Sequence, residues 1–200
     1  MDIYLVRHGQ TDHNLTGRFS GQADIPMNET GRSQIHSVKP YLEGITWDRV
    51  LSSPLIRAVE TARILAPDKA PELCDWLREM DFGTWTGKTW AEVEKSDPEG
   101  AKAYELDWKA RVGGAESYYD VAGRVEEGIR NVVKETAPDA KILIAGHAAS
   151  VVQITLTLLS LPKDSYWRWM PGQGTYALLQ AFPSEDLFFY LGGWNLGRHV

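Results

Sequence analysis

Two histidines of this chain stand directly after short apolar segments. Arg7 and His8 follow the apolar residues 3–6, and His147 follows the apolar residues 142–146. A short apolar run that stops at glycine and polar residues is typical of a buried strand. Because ligands in open α/β sheets bind beyond the carboxyl ends of the strands, these side chains are candidates for one binding site.

A second arginine is predicted to lie at the start of a helix. Residues 48–53 predict a strand, and the next helix is predicted to begin at Pro54, with Ser53 as its cap and Arg57 in or next to its first turn. Another helix is predicted at 148–160, directly after the second histidine. Helix N-termini carry exposed N–H groups and partial positive charge. Together with both histidines and both arginines they would form a strong local anion site.

The elements that must bring these groups together follow from the apolar pattern. Strands that alternate with helices predict an α/β fold, and parallel neighbouring strands would place the four side chains at one edge of the sheet. The other predicted elements are strands at 2–8 and 141–147, helices at 30–43 (ending or kinking near Pro40), 54–66 and 118–136, and a terminal hairpin of 175–182 and 187–193 with a turn at 183–186.

Residues 68–119 have a different character. They hold one short strand candidate near Glu72 and Leu73, and acidic helical sequence follows around 89–110. We expect this segment to be an insertion that lies as a lid over the strand ends, within a single domain of residues 1–200. Its tryptophans fit two roles, core packing or the lining of a pocket for a ring-bearing ligand. They are Trp76, Trp85, Trp90 and Trp108.

Composition argues against several classes of protein. The net charge of -6 lacks the basic excess that is typical of nucleic-acid binders. No apolar run is long enough to span a bilayer, and no basic segment followed by an apolar stretch indicates a signal peptide. Cys74 is the only cysteine, so no intrachain disulfide can form. We therefore expect a cytoplasmic protein without a membrane or nucleic-acid partner.

Four motifs carry a resemblance to a known family. They are Arg7-His8-Gly9-Gln10-Thr11 with Asn14, Ser52-Ser53-Pro54-Leu55-Ile56-Arg57-Ala58 with Thr61-Ala62, Leu77-Arg78-Glu79 with Phe82-Gly83-Thr84-Trp85-Thr86-Gly87, and Gly146-His147. In this combination the chain resembles the histidine phosphatase superfamily, which includes the cofactor-dependent phosphoglycerate mutases, over residues 2 to 160. Each motif alone is weak, and the set is specific.

The resemblance implies a fold and a set of roles. The fold would be a phosphoglycerate mutase-like α/β/α sandwich of three layers, with a mainly parallel sheet and a C-terminal antiparallel strand. His8 would attack phosphorus to give a phosphohistidine, and Glu79 would exchange a proton with the leaving oxygen and then with water. The phosphoryl oxygens would be held by Arg7, Arg57 and His147.

Further substrate contacts would come from Asn14, Gly21, Gln22 and Ala148. The family commonly has glycine at the position of Ala148, and the backbone N–H that binds an anion survives this change. The resemblance implies no metal and no cofactor. A zinc site is the alternative, but its candidate ligands have no supporting spacing of cysteines or carboxylates. These candidates are His8, His13 and His147.

The resemblance also indicates which reaction of the family to expect. The third motif, residues 77–87, matches the acid loop of the family. The chain is short after this loop, where the mutases have extra sequence, so net hydrolysis of a small phosphate ester is expected. Segments 17–22, 79–85, 113–117 and 167–174 resemble α-ribazole phosphatases of cobalamin synthesis, which act on a benzimidazole nucleotide. A phosphoglycerate mutase, a broad-specificity sugar-phosphate phosphatase and a non-catalytic phospho-ligand binder are the alternatives. The C-terminal segment fits either an edge hairpin or a homodimer interface.

Overall fold

The apolar strands assemble into one sheet. In this computed structural model the described residues are 1–182 and 188–197, so the predicted turn at 183–186 lies outside them. The strands are β1 (Asp2–Arg7), β2 (Arg49–Ser52), β3 (Glu72–Leu73), β4 (Lys141–Gly146), β5 (Tyr176–Phe182) and β6 (Phe188–Leu196). Their order across the sheet is β3-β2-β4-β1-β5-β6. Strands β1 to β4 run parallel, β5 pairs antiparallel with β1, and β6 pairs antiparallel with β5.

The described helices are α1 (Asp12–Leu15), α2 (Glu29–Val38), α3 (Ile56–Leu65), α4 (Trp90–Ser96), α5 (Pro98–Leu106), α6 (Tyr118–Glu135) and α7 (Ala148–Leu158). The predicted end of α2 near Pro40 is confirmed, because a 3₁₀ helix (Lys39–Leu42) replaces it there. Proline lacks the N–H that an α-helix interior requires.

The predicted start of α3 is wrong by two residues. The helix begins at Ile56 with Leu55 as its N-cap, and no side chain of that cap accepts a hydrogen bond. The Ile56 N–H instead donates to Asp24 Oδ1 at 2.7 Å, so a distant loop supplies the cap. Ser53 is fully buried before the helix, where its hydroxyl accepts from the Leu55 N–H at 3.3 Å and also contacts a residue of the candidate site.

Alternation along the strands divides the core into two packed faces. Successive side chains of a strand point to opposite faces of the sheet. Ile3 and Leu5 pack in the cluster that contains the apolar stripes of α6 and α7. Val6 packs in the other cluster, with Ile35 of α2 and Ala62 of α3. Helices therefore cover both faces of the sheet, which confirms the predicted three-layer α/β/α sandwich.

The predicted insertion is partly integrated into the sheet. Glu72–Leu73 forms β3 at the edge of the sheet beside β2, as the short strand candidate indicated. Farther along, Trp85 and Val93 belong to the same buried cluster as the sheet residues. The lid role of residues 68–119 and the single-domain organisation stay predictions. Within residues 1–182 and 188–197, no helix combines the length and apolar character needed to cross a membrane.

Candidate active site

Strand pairing brings the two predicted histidines together. Strands β1 and β4 are neighbours in register, with Arg7 opposite Gly146. The His8 N–H donates to the Gly146 carbonyl at 3.1 Å, and the imidazole centroids of His8 and His147 are 5.1 Å apart. Both residues are buried, with 3% and 0% of their surface exposed. The two strand ends thus meet at one edge of the sheet, as the sequence predicts.

The His8 ring has a defined tautomer and charge. Its Nδ1 lies 2.7 Å from the Gly9 carbonyl oxygen, and since a carbonyl only accepts, Nδ1 carries the proton. Nε2 therefore keeps a lone pair, toward which Arg57 Nε donates at 3.3 Å. Burial, followed by the charges of Arg57 and Arg7, holds the pKa of His8 well below 6.5. A neutral ring with a free Nε2 lone pair is the state that a nucleophile requires.

The loop that carries this carbonyl is held by a close backbone contact. A Cβ atom on Gly9 would lie 2.1 Å from the carbonyl oxygen of Gly31 in α2. A Cβ atom on Gly31 would in turn lie 2.2 Å from the carbonyl oxygen of Gln10. Only glycine at both positions permits this approach. The glycine after His8 therefore serves packing against α2, which positions the acceptor of the His8 proton.

Arg57 is the second residue of α3 and is fully buried. Its Nη1 donates to the Ala23 carbonyl and its Nη2 to the Gly21 carbonyl, each at 2.8 Å. Gly21 has a φ of +51°, a left-handed conformation that favours glycine. Burial lowers the pKa of Arg57, and the carboxylates of Glu79 and Asp24 oppose that shift. The planar guanidinium is thus fixed on two sides and presents its Nε edge to His8.

His147 is fully buried and does not border the cavity described below. Its Nε2 lies 2.8 Å from the Ser53 hydroxyl. Its buried Nδ1 has no hydrogen-bond partner among the residues that the structure describes. Burial, followed by the charge of Arg57, holds the pKa of His147 well below its ordinary value. The His147 ring is therefore neutral, and it stands beside the nucleophile candidate.

Glu79 meets the amino end of α7. Its Oε1 accepts hydrogen bonds from the backbone N–H groups of Met80 at 2.9 Å and of Ala149 at 3.1 Å. A helix N-terminus stabilises a carboxylate in this position. The first turn of α7 thus holds the predicted proton donor, and Ala148 of the same turn borders the cavity beside it.

A cavity of about 170 Å³, the phosphate cavity, joins most of these groups. The predicted residues that line it are Arg7, His8, Asn14, Gly21, Arg57, Glu79 and Ala148. Asn14 Oδ1 accepts from the Thr11 N–H at 3.0 Å, so the side-chain NH₂ of Asn14 is the group left to donate. A larger groove of about 560 Å³ around Trp47 and Lys69 contains no histidine or arginine. The chemistry therefore lies in the smaller cavity.

Gln22 does not line the phosphate cavity, so its prediction as a substrate contact has no support in the geometry. Its Nε2 donates to the Glu79 backbone carbonyl at 3.3 Å. Gln22 therefore contacts the loop that carries the predicted proton donor. Within residues 1–182 and 188–197, no cluster of three or more His, Cys, Asp or Glu could hold a metal ion.

The comparison with protein families agrees with this set of groups. The model of the histidine phosphatase superfamily (branch 1) matches residues 3–186. The chain belongs to this superfamily. The chain is similar in sequence to several proteins that are named as phosphatases. It is 31% identical over 183 residues to the adenosylcobalamin/alpha-ribazole phosphatase of Salmonella typhimurium, covering 90% of each chain.

Two further matches extend the comparison. The histidine phosphatase is 30% identical over 218 residues to the glucosyl-3-phosphoglycerate phosphatase of Mycolicibacterium vanbaalenii, covering 99% of this chain and 96% of that protein. It superposes on the crystal structure of the alpha-ribazole phosphatase of Shigella flexneri with a TM-score of 0.89 and 28% identity, covering 98% and 97% of the two chains. The resemblance found in the motifs is therefore confirmed for the family and the fold.

An arginine that the motifs do not contain holds the acid loop of this histidine phosphatase. Arg124 of α6 donates to the backbone carbonyls of Trp76 at 2.7 Å, Arg78 at 2.9 Å and Glu79 at 3.1 Å. Its Nε also pairs with Glu116 Oε1 at 2.9 Å. In the sequence Arg124 is one polar residue of an amphipathic helix. No local signal distinguishes it, because the carbonyls that it holds lie 45 to 48 residues away.

The tryptophans of the insertion do not border the phosphate cavity, and Trp85 is fully buried with its Nε1–H donating to Asp97 at 2.8 Å. The ring-bearing side of the cavity, the aromatic wall, comes from Phe19, Phe82, Tyr104, Tyr118, Tyr166 and Trp167. Within it, the rings of Tyr118 and Tyr166 are 4.1 Å apart, and the hydroxyls of Tyr104 and Tyr118 are hydrogen-bonded. The cavity has ring-bearing walls as predicted, but other residues form them. The remaining unpredicted lining residues are Arg18, Ser20, Met80 and Met170.

Proposed function

We propose that this protein is a metal-independent phosphomonoesterase that acts through a phosphohistidine formed on His8. The arrangement of the His8 ring carries the proposal. The hydrogen bond of Nδ1 to the Gly9 carbonyl leaves Nε2 unprotonated at a cavity that three arginines border, Arg7, Arg18 and Arg57. The phosphatase names of the relatives support the same reaction class.

The first step transfers the phosphoryl group to the protein. The Nε2 lone pair attacks phosphorus, so the P–N bond forms as the bond between phosphorus and the ester oxygen breaks. Glu79, in its protonated form, gives its proton to the departing oxygen and yields a neutral alcohol. The phosphoryl oxygens take the hydrogen bond that Arg57 Nε makes with His8 in the free protein. Arg7 and Arg57 then stabilise the charge that spreads over these oxygens.

The second step returns the protein to its starting state. Glu79, now a carboxylate, takes a proton from a water molecule as the water oxygen attacks phosphorus. The P–N bond breaks, its electron pair returns to Nε2, and inorganic phosphate leaves. In both steps the proton stays on Nδ1, which continues to donate to the Gly9 carbonyl, so the ring keeps its orientation.

The substrate that we favour is α-ribazole 5′-phosphate or a closely similar small phosphate ester. The names of the Salmonella and Shigella relatives support it. The phosphate cavity, at about 170 Å³, is of a size for a phosphoryl group, and the aromatic wall suits a ring-bearing alcohol at its mouth. A second candidate is an ester of phosphoglycerate, which the Mycolicibacterium relative favours.

The test is hydrolysis of 4-nitrophenyl phosphate and α-ribazole 5′-phosphate in the presence of a chelator. We expect turnover of both esters, and a trapped protein phosphate that acid releases and alkali preserves. His8→Ala is expected to lower kcat/KM by at least about 10⁴-fold and to abolish the trapped phosphate. His36→Ala, on the exposed surface of α2, is the matched control.

Three results would contradict the proposal. They are a loss of turnover with chelator that a divalent metal restores, normal turnover by His8→Ala, and binding of phosphate esters without hydrolysis. Isomerisation of 3-phosphoglycerate faster than release of phosphate would favour the mutase alternative.

A further inference from the structure

A second cavity of about 410 Å³ opens beside the phosphate cavity and is lined by Trp90, Tyr104, Glu105 and Trp167. Tyr104 and Trp167 line both spaces, so the two cavities are adjacent. We propose that this outer cavity is the subsite for the leaving group, that it binds a flat ring which is neutral or cationic, and that it rejects a leaving group with a second negative charge. The inference rests on the proposed phosphatase function.

The volumes of the two cavities indicate which part of the substrate binds in each. The phosphate cavity has a volume of about 170 Å³, and Arg7, Arg57 and His8 are among its lining residues. Sites for small organic ligands usually span about 300 to 1,000 Å³. A nucleoside-sized alcohol must therefore extend out of the phosphate cavity. The wall shared by Tyr104 and Trp167 places that extension in the outer cavity.

The rings of the outer cavity are held by one another. The Tyr104 ring lies edge-on to Trp167 with centroids 5.7 Å apart, and it is tilted to Trp90 at 6.0 Å. The Tyr104 hydroxyl is bound to the Tyr118 hydroxyl, which prevents the ring from turning outward. Trp167 is 51% exposed, a large fraction for a tryptophan. Its open surface offers a flat ring an aromatic partner to stack against.

The charge around the outer cavity is negative. Glu105 stands in the last turn of α5, where the helix carries partial negative charge and has no basic residue. Glu105 has no ion-pair partner among residues 1–182 and 188–197. Arg18, at the edge of the phosphate cavity, is engaged by Glu92 at 3.0 Å and by the Gly87 carbonyl at 2.7 Å. A second phosphate or carboxylate on the leaving group would therefore meet a carboxylate instead of a free cation.

The test compares two esters of the same alcohol type. α-Ribazole 5′-phosphate and ribose 5-phosphate both release a ribose 5′-hydroxyl and differ in the flat heterocycle. We expect kcat/KM of the wild-type protein to be at least about tenfold higher for the ring-bearing ester, the lower end of what one stacked ring contributes. Trp167→Ala should lower the ratio of the two kcat/KM values about tenfold. Trp108→Leu, whose ring packs on Tyr119 outside both cavities, should leave the ratio unchanged.

The electrostatic part is tested with 3-phosphoglycerate, whose leaving group carries a carboxylate. Glu105→Lys should raise kcat/KM for 3-phosphoglycerate relative to ribose 5-phosphate about tenfold, and Glu105→Gln should give a smaller rise. If Trp167→Ala does not fold, the wild-type ratio and the two Glu105 variants still decide. Two results would overturn the proposed subsite. One is a wild-type kcat/KM that is the same for α-ribazole 5′-phosphate and ribose 5-phosphate. The other is a ratio of kcat/KM for 3-phosphoglycerate to that for ribose 5-phosphate that neither Glu105 variant changes. Absence of turnover of every ester would instead overturn the phosphatase proposal.

Discussion

The phosphate cavity and the outer cavity lie side by side, yet different parts of the fold supply their residues. In the phosphate cavity His8 follows a strand end, Arg57 lies in the first turn of a helix, and both are buried. The outer cavity is built from α4, α5 and a 3₁₀ helix (Lys163–Trp169), and Trp167 is 51% exposed. The sheet thus holds the groups that every phosphate ester needs. The helices outside the sheet carry the groups that would distinguish one leaving alcohol from another.

The side chains of the two cavities are also held in place by different kinds of contact. Arg57 is held by the Gly21 and Ala23 carbonyls, and His8 is held by the Gly9 carbonyl. Backbone groups therefore position both side chains. In the outer cavity the rings are positioned mainly by contacts with other rings. Changes in the phosphate cavity should therefore affect all substrates, and changes in the outer cavity should affect ratios between substrates.

After His8→Ala, the largest effect is expected for Glu79→Gln. For ribose 5-phosphate, whose alkoxide is a poor leaving group, loss of the proton donor should lower kcat about 10²- to 10⁴-fold. For 4-nitrophenyl phosphate the first step needs no proton, so a burst of nitrophenol equal to the protein concentration should precede slow turnover. Stopped-flow kinetics measures both. Glu94→Gln, an exposed residue of α4, is the control, and unchanged turnover of ribose 5-phosphate by Glu79→Gln would remove Glu79 from the mechanism.

Arg57→Lys should lower kcat/KM by about 10²- to 10³-fold for ring-bearing and ring-free esters alike. Lysine keeps the charge, but it cannot donate to the Ala23 and Gly21 carbonyls and to the substrate in the planar geometry of Arg57. Arg63→Lys, exposed on the same helix, is the control. A drop confined to one class of ester would contradict the division between the cavities. Thermal unfolding of both variants separates lost activity from lost structure.

The buried histidines predict a loss of stability in mild acid. The pKa values of His8 and His147 lie well below 6.5 in the folded chain. The unfolded chain therefore binds more protons below about pH 6.5, and the free energy of unfolding should fall as the pH drops toward the folded-state pKa values. The expected slope is at most about 1.4 kcal/mol per pH unit for each histidine.

Urea unfolding between about pH 7 and about pH 5 measures this slope. The carboxyls whose pKa is lowered by ion pairs or by hydrogen bonds start from ordinary values of 4.5 or 3.8, so they act mainly below this window. They include Glu72, Asp120 and Glu126. His8→Asn should remove about half of the slope, and an unchanged slope would show that His8 is not buried in its neutral form.

The smallest effect is expected for Tyr104→Phe, at the junction of the two cavities. The change removes the hydrogen bond to the Tyr118 hydroxyl and keeps the ring, at a cost of about 1 kcal/mol, which corresponds to about fivefold. We expect kcat/KM for α-ribazole 5′-phosphate to fall by no more than this factor. A larger fall that is equal for ribose 5-phosphate would indicate that the Tyr104 hydroxyl acts on the phosphoryl group.

Much of the phosphate cavity was predictable because its residues follow local patterns. The apolar runs before His8 and His147 indicate two strands with polar groups at their carboxyl ends, and parallel pairing places His8 at the cavity with the buried His147 beside it. The aromatic wall was not predictable in the same way. The tryptophans of the insertion attract attention in the sequence, yet Trp85 is fully buried, and Tyr104 and Tyr166 border the cavity instead.

Other contacts depend on residues that are distant in the sequence. Arg124 holds the acid loop across 45 to 48 positions, and Asp24 caps α3 across 32. Ser53 has the residue type of a helix cap, but it stands two residues before the N-cap Leu55, and its hydroxyl lies beside the His147 ring. The sequence offers several acceptors for each of these donors and does not distinguish among them. The packing of the folded chain decides which acceptor each donor binds.

Local sequence therefore determines the chemistry of this protein and the sheet edge on which it lies. Hydrophobic periodicity places the strand ends, and histidine and arginine bring their own ionisation and hydrogen-bonding capacity. The folded chain decides which ring nitrogen of His8 is free, because that depends on the Gly9 carbonyl. It also decides which rings meet the leaving group, because residues from α4, α5 and the 3₁₀ helix Lys163–Trp169 come together only when their apolar faces pack.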